Sequence, residues 1–192
     1  MVVKSAPKNK QQKMKRRFIF RTVTLSIILL AVIYALIMNL TKDDGAVKKG
    51  DEAPDFELTQ INHNHAEDHI QLSDLEGKGV VLNFWASYCK PCESQMLFME
   101  ALYPDYQDDI EIVAVNLDNS ELVIQQFINK YNFSFAVMHD KRSEIMDMYQ
   151  VSPMPTTFFI NPEGEVVEEV VGSIVYQDLE RYFNAIAPKE GK

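Results

Sequence analysis

The chain has 192 residues, with 28 acidic against 19 basic ones, a net charge of −9 and only two cysteines. An acidic balance of this size argues against nucleic acid as a partner. One Cys pair also falls short of the about four Cys or His ligands that a closed zinc site needs. The charge is unevenly spread. Lys4, Lys8, Lys10, Lys13, Lys15, Arg16, Arg17 and Arg21 form a basic tail (1–21) without a single acid, and the uncharged stretch Thr22 to Leu40 follows. At about 1.5 Å per helical residue this stretch reaches roughly 28 Å, close to the hydrocarbon thickness of a bilayer, and predicts one membrane span. The positive flank predicts a cytoplasmic N-terminus, with everything after Leu40 outside the cell membrane. A cleaved signal peptide is the competing reading. The length of the apolar run, with no Ala-x-Ala site and no Cys for lipidation, favours an uncleaved single-pass anchor. The tail takes eight of the 19 basic residues and none of the 28 acidic ones, which leaves a net charge of −17 on the remainder.

Residues 41–50 are short, charged and hold two glycines, as a flexible tether does. The rest, 51–192, is the size of one domain with one core. Asp55 to Thr59 and His69 to Leu72 are predicted as short strands of an N-terminal β-hairpin, and Ser73-Asp74-Leu75-Glu76 has the capping-box pattern of a helical turn. Gly77 and Gly79 end that turn. The apolar run Val80 to Trp85 predicts a buried strand, and shortly after it stand the two cysteines, in Cys89-Lys90-Pro91-Cys92. Two thiols at this spacing read as a working dithiol. As a structural bridge they would close too short a loop to stabilise much, whereas the spacing suits a reversible disulfide. A zinc half-site has no second Cys pair to complete it.

Beyond Cys92 helices and strands alternate. Glu93 to Tyr106 carries Met96, Met99 and Tyr103 at helical spacing, and Glu111 to Asn116 is nearly all apolar, as buried parallel strands are. Ser120 is placed to cap a helix whose Ile124, Phe127, Ile128 and Tyr131 form a core-facing stripe. A strand from Phe135 to Met138, a helix from Ser143 to Tyr149, a strand from Thr157 to Ile160, the turn Asn161 to Gly164, a strand from Val166 to Val171 and a helix from Tyr176 to Ala187 complete the chain. Such an order predicts an α/β fold, a mixed central sheet flanked by helices on both faces. His63-x-His65 and His69 fall in the polar hairpin, apart from His139. Such a cluster can hold a metal, but exposed turn residues are the simpler reading, and no metal site is assigned.

Asn83-Phe84-Trp85-Ala86-Ser87-Tyr88-Cys89-Lys90-Pro91-Cys92, together with Ser152-Pro153-Met154-Pro155-Thr156-Thr157-Phe158, resembles the active site of the thioredoxin superfamily. The opening Gly50 to Phe56, the run Leu72 to Gly79 and Ile112 to Asn116 narrow the resemblance to the membrane-anchored, extracytoplasmic ResA-type thiol-disulfide oxidoreductases. It implies a thioredoxin-like fold and, as sole redox centre, the Cys89-Cys92 disulfide, with no other cofactor. Cys89 is then the attacking thiol, at a helix N-terminus where free N–H groups and the dipole lower its pKa below the usual value of about 8.5. Lys90 adds positive charge, Pro91 pre-sets the first turn, and Cys92 resolves the mixed disulfide. Pro155 resembles a cis proline that exposes the Met154 backbone to a substrate and keeps metal from the thiols. Trp85 reads either as packing or as a direct participant.

One departure concerns Gln95, where ResA-type proteins carry a carboxylate; an amide hydrogen-bonds but moves no proton. Asn119 likewise stands where relatives carry Glu. Glu93 reads as a favourable first-turn anion. The expected activity is reduction of the haem-binding cysteines of apocytochrome c, with electrons from a CcdA-like membrane donor. The alternatives are another disulfide-bearing envelope protein or a spore-cortex pathway and, from a different class, a Cu(I)-binding carrier, for which the CxxC spacing is wrong. No Pro-x-x-x-Thr-x-x-Cys pattern surrounds Cys89, which argues against peroxiredoxin chemistry.

Overall fold

The computed structural model describes the backbone of residues 9–40, 45–62 and 69–188; between 9 and 40 only the side chains of 17 and 19–34 are described. The chain divides into two compact units, Met1–Asp44 and Gly45–Lys192. The first contains helix α1 (Asn9–Leu40), whose described apolar side chains, Phe20, Leu25, Ile28 and Leu30 among them, are exposed. Among the described residues no helix is long and apolar enough to cross a membrane. Positions 35–40 of the expected span lie outside the described side chains, and 1–8 and 41–44 of the expected tail and tether lie outside the described residues.

In the second unit β1 (Glu57–Thr59) and β2 (His69–Gln71) form an antiparallel hairpin with Leu58 opposite Ile70. Both strands are shorter than the sequence pattern. Asp55 is exposed, and its carboxylate accepts from the Gln71 side chain at 2.6 Å and from the Ser73 N–H at 3.0 Å, bonds made outside the strand pairing. Those bonds also displace the expected capping box. The turn Leu72–Leu75 is a 3-10 helix with Gln71 at its N-cap, and Ser73 gives its hydroxyl to Asp55 instead. Positions 63–68, with His63 and His65, lie outside the described residues.

The central sheet runs in the order β5-β4-β3-β6-β7, from β3 (Gly79–Trp85), β4 (Ile110–Asn116), β5 (Ala136–His139), β6 (Thr156–Ile160) and β7 (Val166–Val171). The pairs β3–β4 and β4–β5 are parallel, joined through α2 (Lys90–Tyr106) and α3 (Glu121–Tyr131); β6 and β7 return antiparallel. The short α4 (Glu144–Met148) precedes β6, and α5 (Tyr176–Ile186) closes the chain. β3 lies in the middle and is buried throughout, the reason its sequence is apolar on both faces. Val81 and Trp85 pack with Met96, Met99, Ile124, Phe127, Leu179 and Phe183 on one face; Leu82 and Phe84 pack with Phe56, Ile145 and Tyr149 on the other.

The expected stripes are buried in α2 and α3, except that Tyr131 is half-buried. Ser120 stands at the N-cap of α3 but makes no side-chain bond there, because the N–H of Val123, which its hydroxyl would take, already goes to its carbonyl at 3.1 Å. At the outer edge of β5, Asn62 substitutes for a neighbouring strand. Its amide donates to the Phe133 and Phe135 carbonyls and accepts the Val137 N–H, and beside it Gln60 bridges Met138 and the Ile61 N–H goes to the Val137 carbonyl, so that the edge is covered. Because β3 and β4 are parallel, their C-terminal ends bring Cys89 and Asp118 to one end of the sheet.

Two measurements test this packing. A Cβ on Gly79 would lie 2.5 Å from the Ile186 carbonyl oxygen, so Gly79→Ala is expected to lower stability by roughly 1–3 kcal/mol in urea unfolding. Burial raises the pKa of Glu111 although Tyr103 donates to it at 3.0 Å. The folded chain therefore holds this proton to higher pH than the unfolded one, whose value is about 4.3, and stability falls as pH rises through that interval. Glu111→Gln is expected to flatten that part of the urea-midpoint curve; an unaltered slope would exclude Glu111 as its source.

Candidate active site

Cys89 is the N-cap of α2. Its backbone is extended (φ −87°, ψ 102°), and its Sγ accepts the N–H of Cys92 at 3.2 Å. The two cysteines form a disulfide, Cα to Cα 5.3 Å. Cys89 is half-buried and Cys92 fully buried, so an incoming sulfur reaches Cys89 first. The first turn of a helix presents N–H groups without intrahelical acceptors, and the dipole adds to them, which favours negative charge on a capping sulfur. Pro91 lies in that turn, where it gives up a donor the helix does not use.

Outside the disulfide the rim is charged. Lys90 is exposed and places its Nζ 2.9 Å from Glu93 Oε2. The other oxygen of Glu93 accepts the Tyr131 hydroxyl and lies 3.5 Å from Lys130 Nζ, so the carboxylate bridges α2 and α3. The Tyr131 hydrogen bond first, and Lys90 next, hold its pKa down at about 2. The positive charge expected of Lys90 is therefore paired.

Beneath the disulfide the site is polar but uncharged. Gln95 is fully buried one turn after Cys92. Its Nε2 donates to Asn83 Oδ1 at 2.9 Å and to Thr157 Oγ1 at 2.8 Å, and its Oε1 accepts the Ile174 N–H at 2.9 Å. Thr157 in turn donates to Asn83 Oδ1 at 3.0 Å, which leaves Asn83 Nδ2 buried without a partner. One amide thus ties α2 to β3, to β6 and to the loop before α5. The position held by a carboxylate in the resemblance has partners for both ends of a neutral amide.

The loops of the site are fixed by the same means. Asp118, buried, accepts the Ser87 N–H at 2.8 Å and the Ser87 hydroxyl at 3.2 Å, holding the segment between β3 and Cys89. Its own carbonyl is 2.8 Å from His139 Nε2. The Met154-Pro155 bond is cis, Pro155 is buried, and its carbonyl accepts the N–H of Gly172, whose φ of 100° suits glycine. Met154, like Cys89, packs against the cluster that contains Trp85 and Cys92. Trp85 is fully buried, 4.8 Å from the Phe127 ring, with its indole N–H unpaired. Tyr88, next to Cys89, is 71% exposed.

Cys89, Lys90, Pro91, Cys92, Glu93 and Gln95 therefore share one helix end. Gln95 links them to Thr157, two residues past Pro155, and Trp85 and Met154 share their apolar cluster. Asn119 stays exposed and outside these bonds. Among the described residues no group of three or more His, Cys, Asp or Glu is arranged to hold a metal ion. Sequence reasoning named Asn83 and Thr157 only within the resembling motifs and Tyr131 only as a stripe residue, and did not single out Asp118 or Lys130. For the first two a signal exists, since each is a polar residue inside an otherwise apolar buried strand and must find a partner there.

A helix-capping sulfur and a buried one that alternate between disulfide and dithiol on this sheet can exchange two electrons with another protein's disulfide, and thioredoxin-like protein thiol-disulfide oxidoreductases are the enzymes so built. The AhpC/TSA family matches residues 49–169. The thiol-disulfide oxidoreductase ResA of Oceanobacillus iheyensis is 49% identical over 183 residues, covering 95% of both chains. That of Bacillus subtilis is 38% identical over 93% of this chain and 98% of its own. Among solved structures, a thiol:disulfide interchange protein DsbE from Chlorobium tepidum has TM-score 0.68 and 33% identity, over 73% of this chain and 99% of that one. StoA from Bacillus subtilis has TM-score 0.59 and 25% identity, over 67% and 96%. The chain belongs to the AhpC/TSA family and, within it, to the ResA-type thiol-disulfide oxidoreductases.

Gln95 supplies the test of this geometry. Gln95→Leu strands the Ile174 N–H and the Thr157 and Asn83 side chains, and is expected to cost roughly 1–3 kcal/mol in urea unfolding. Gln95→Glu introduces a carboxyl whose pKa burial raises, so its stability is expected to fall as pH rises above about 4.3, where the parent chain has no such group at that position. Equal urea midpoints for parent and Leu variant would show that the network does not hold the site.

Proposed function

We propose that the chain is a membrane-tethered reductase on the outer face of the cytoplasmic membrane. Its substrates are disulfides of extracytoplasmic proteins, the haem-binding cysteines of apocytochrome c foremost. The observation that carries this reading is the pairing, in one chain, of a basic tail and apolar helix with a helix-capping dithiol. The tail supports a cytoplasmic N-terminus, and the exposed apolar side chains around α1 support an apolar surrounding such as lipid.

In the reaction, the Cys89 thiolate attacks one sulfur of the substrate disulfide, forms a mixed disulfide and releases the other sulfur as a thiolate. Cys92 loses its proton and attacks Cys89 Sγ, which frees the second substrate sulfur and leaves the Cys89-Cys92 disulfide. Two electrons pass to the substrate. The outer compartment oxidises thiols, so a CcdA-like membrane carrier returns two electrons and two protons to the disulfide.

The reduction potential of the full chain in detergent is expected near about −270 mV, the thioredoxin range; a value near about −120 mV would make it a disulfide donor and remove the reductase reading. Cys92→Ser is expected to accumulate mixed disulfides through Cys89. A deletion strain is expected to lose its c-type cytochromes. If they persist, the substrate is another extracytoplasmic protein, and cytochrome maturation falls as the role.

A further inference from the structure

We propose that Glu93 is a positioning residue that clasps Lys90 and Lys130 at the rim of the active site and thereby keeps two ammonium charges from acting on Cys89. The proposal rests on Cys89 being the attacking thiol. Lys90 follows Cys89 directly, and its long side chain would otherwise be free to lie over the sulfur. Instead it is drawn to Glu93 at 2.9 Å, while Lys130 reaches the same carboxylate from α3 at 3.5 Å. The hydroxyl of Tyr131 donates to Glu93, and Lys130 also lies over the Tyr131 ring, 4.5 Å from its centre.

An isolated exposed ion pair holds little. This one differs in geometry. The Glu93 side chain is only 18% exposed, and groups from two helices converge on it, so its position is set by packing as well as by charge. With both lysines paired, the field at Cys89 comes chiefly from the helix end, which ionic strength screens less than it screens mobile side chains.

The test uses the full-length protein. Ionisation of Cys89 is followed by ultraviolet thiolate absorbance, and the disulfide potential is set against glutathione, for the parent, Glu93→Gln, Glu93→Asp and a triple variant with Lys90→Gln and Lys130→Gln. Freed lysines are expected to raise the ionisation constant of Cys89 in Glu93→Gln by about tenfold, and to make the potential less negative by about 30 mV for that factor. The shift is expected to fade between about 0.01 M and 1 M salt, as the screening length falls from about 30 to 3 Å. Glu93→Asp should restore the parent behaviour, and so should the triple variant. An unchanged ionisation and potential in Glu93→Gln overturn the clasp, even if its melting point drops, because a merely structural role predicts that result. A shift that survives in the triple variant overturns it as well. Cys89→Ser separates the premise from the proposal: if the acidic thiol persists without Cys89, the attacking residue has been misassigned.

Discussion

Cys89 closes the segment that follows β3 and caps α2, so one sulfur occupies the place where a hydrogen-bonding side chain would stand. A helix N-terminus lowers the free energy of a thiolate only if the sulfur stays within reach of the first-turn N–H groups, and that influence dies away within about one turn. Everything around the dithiol keeps this short distance fixed. The parallel pairing of β3 with β4 sets where the strand stops. Asp118 then binds Ser87 in the connecting segment, and Gln95 holds the helix from below.

The two layers of the site divide the electrostatics between them. Below the disulfide the polar atoms are amide, hydroxyl and backbone groups, which bond one another without a net charge and leave only Asn83 Nδ2 over. A charge there would carry the cost of burial, and its titration would couple to that of the nearby thiols. Above it, at the solvent, charges occur in compensated form, with Glu93 between two lysines. The neutral floor and the paired rim leave the helix end, with the Asp118 carboxylate on Ser87, as the fixed electrostatic features beside the reacting sulfur.

How much of this the sequence shows depends on how local each feature is. The dithiol after an apolar run, the stripe on α3 and the apolar stretches of β3 and β4 are patterns within one element, and their periods state which face is buried. The mixed sheet follows from their order. The Gln95 knot is different, because its members lie at positions 83, 95, 157 and 174, and no local period connects them. The departure at Gln95 was visible only against the resemblance; its partners required the fold. Caps failed for a related reason. Ser73 and Ser120 have the right chemistry at the right spacing, but Asp55 claims the first, and at the second the backbone carbonyl suffices. Side-chain caps are chosen among competing partners, and a local pattern does not show the competitors.

Asn83 shows what the knot gives up. Its Oδ1 accepts from both Gln95 and Thr157, so its Nδ2 is left in a buried space with nothing to bond. Turning the amide over would pair Nδ2 only by setting donors against donors at Gln95, a worse arrangement. A carboxylate at position 95 would accept from Asn83 Nδ2, from Thr157 and from Ile174 together, but would carry a buried negative charge one turn from Cys92. Unpaired amide and buried charge are the two solutions open to this pocket, and each costs stability. With glutamine the cost falls on a group that never titrates, so the floor of the site stays the same across the pH range in which the thiols change charge.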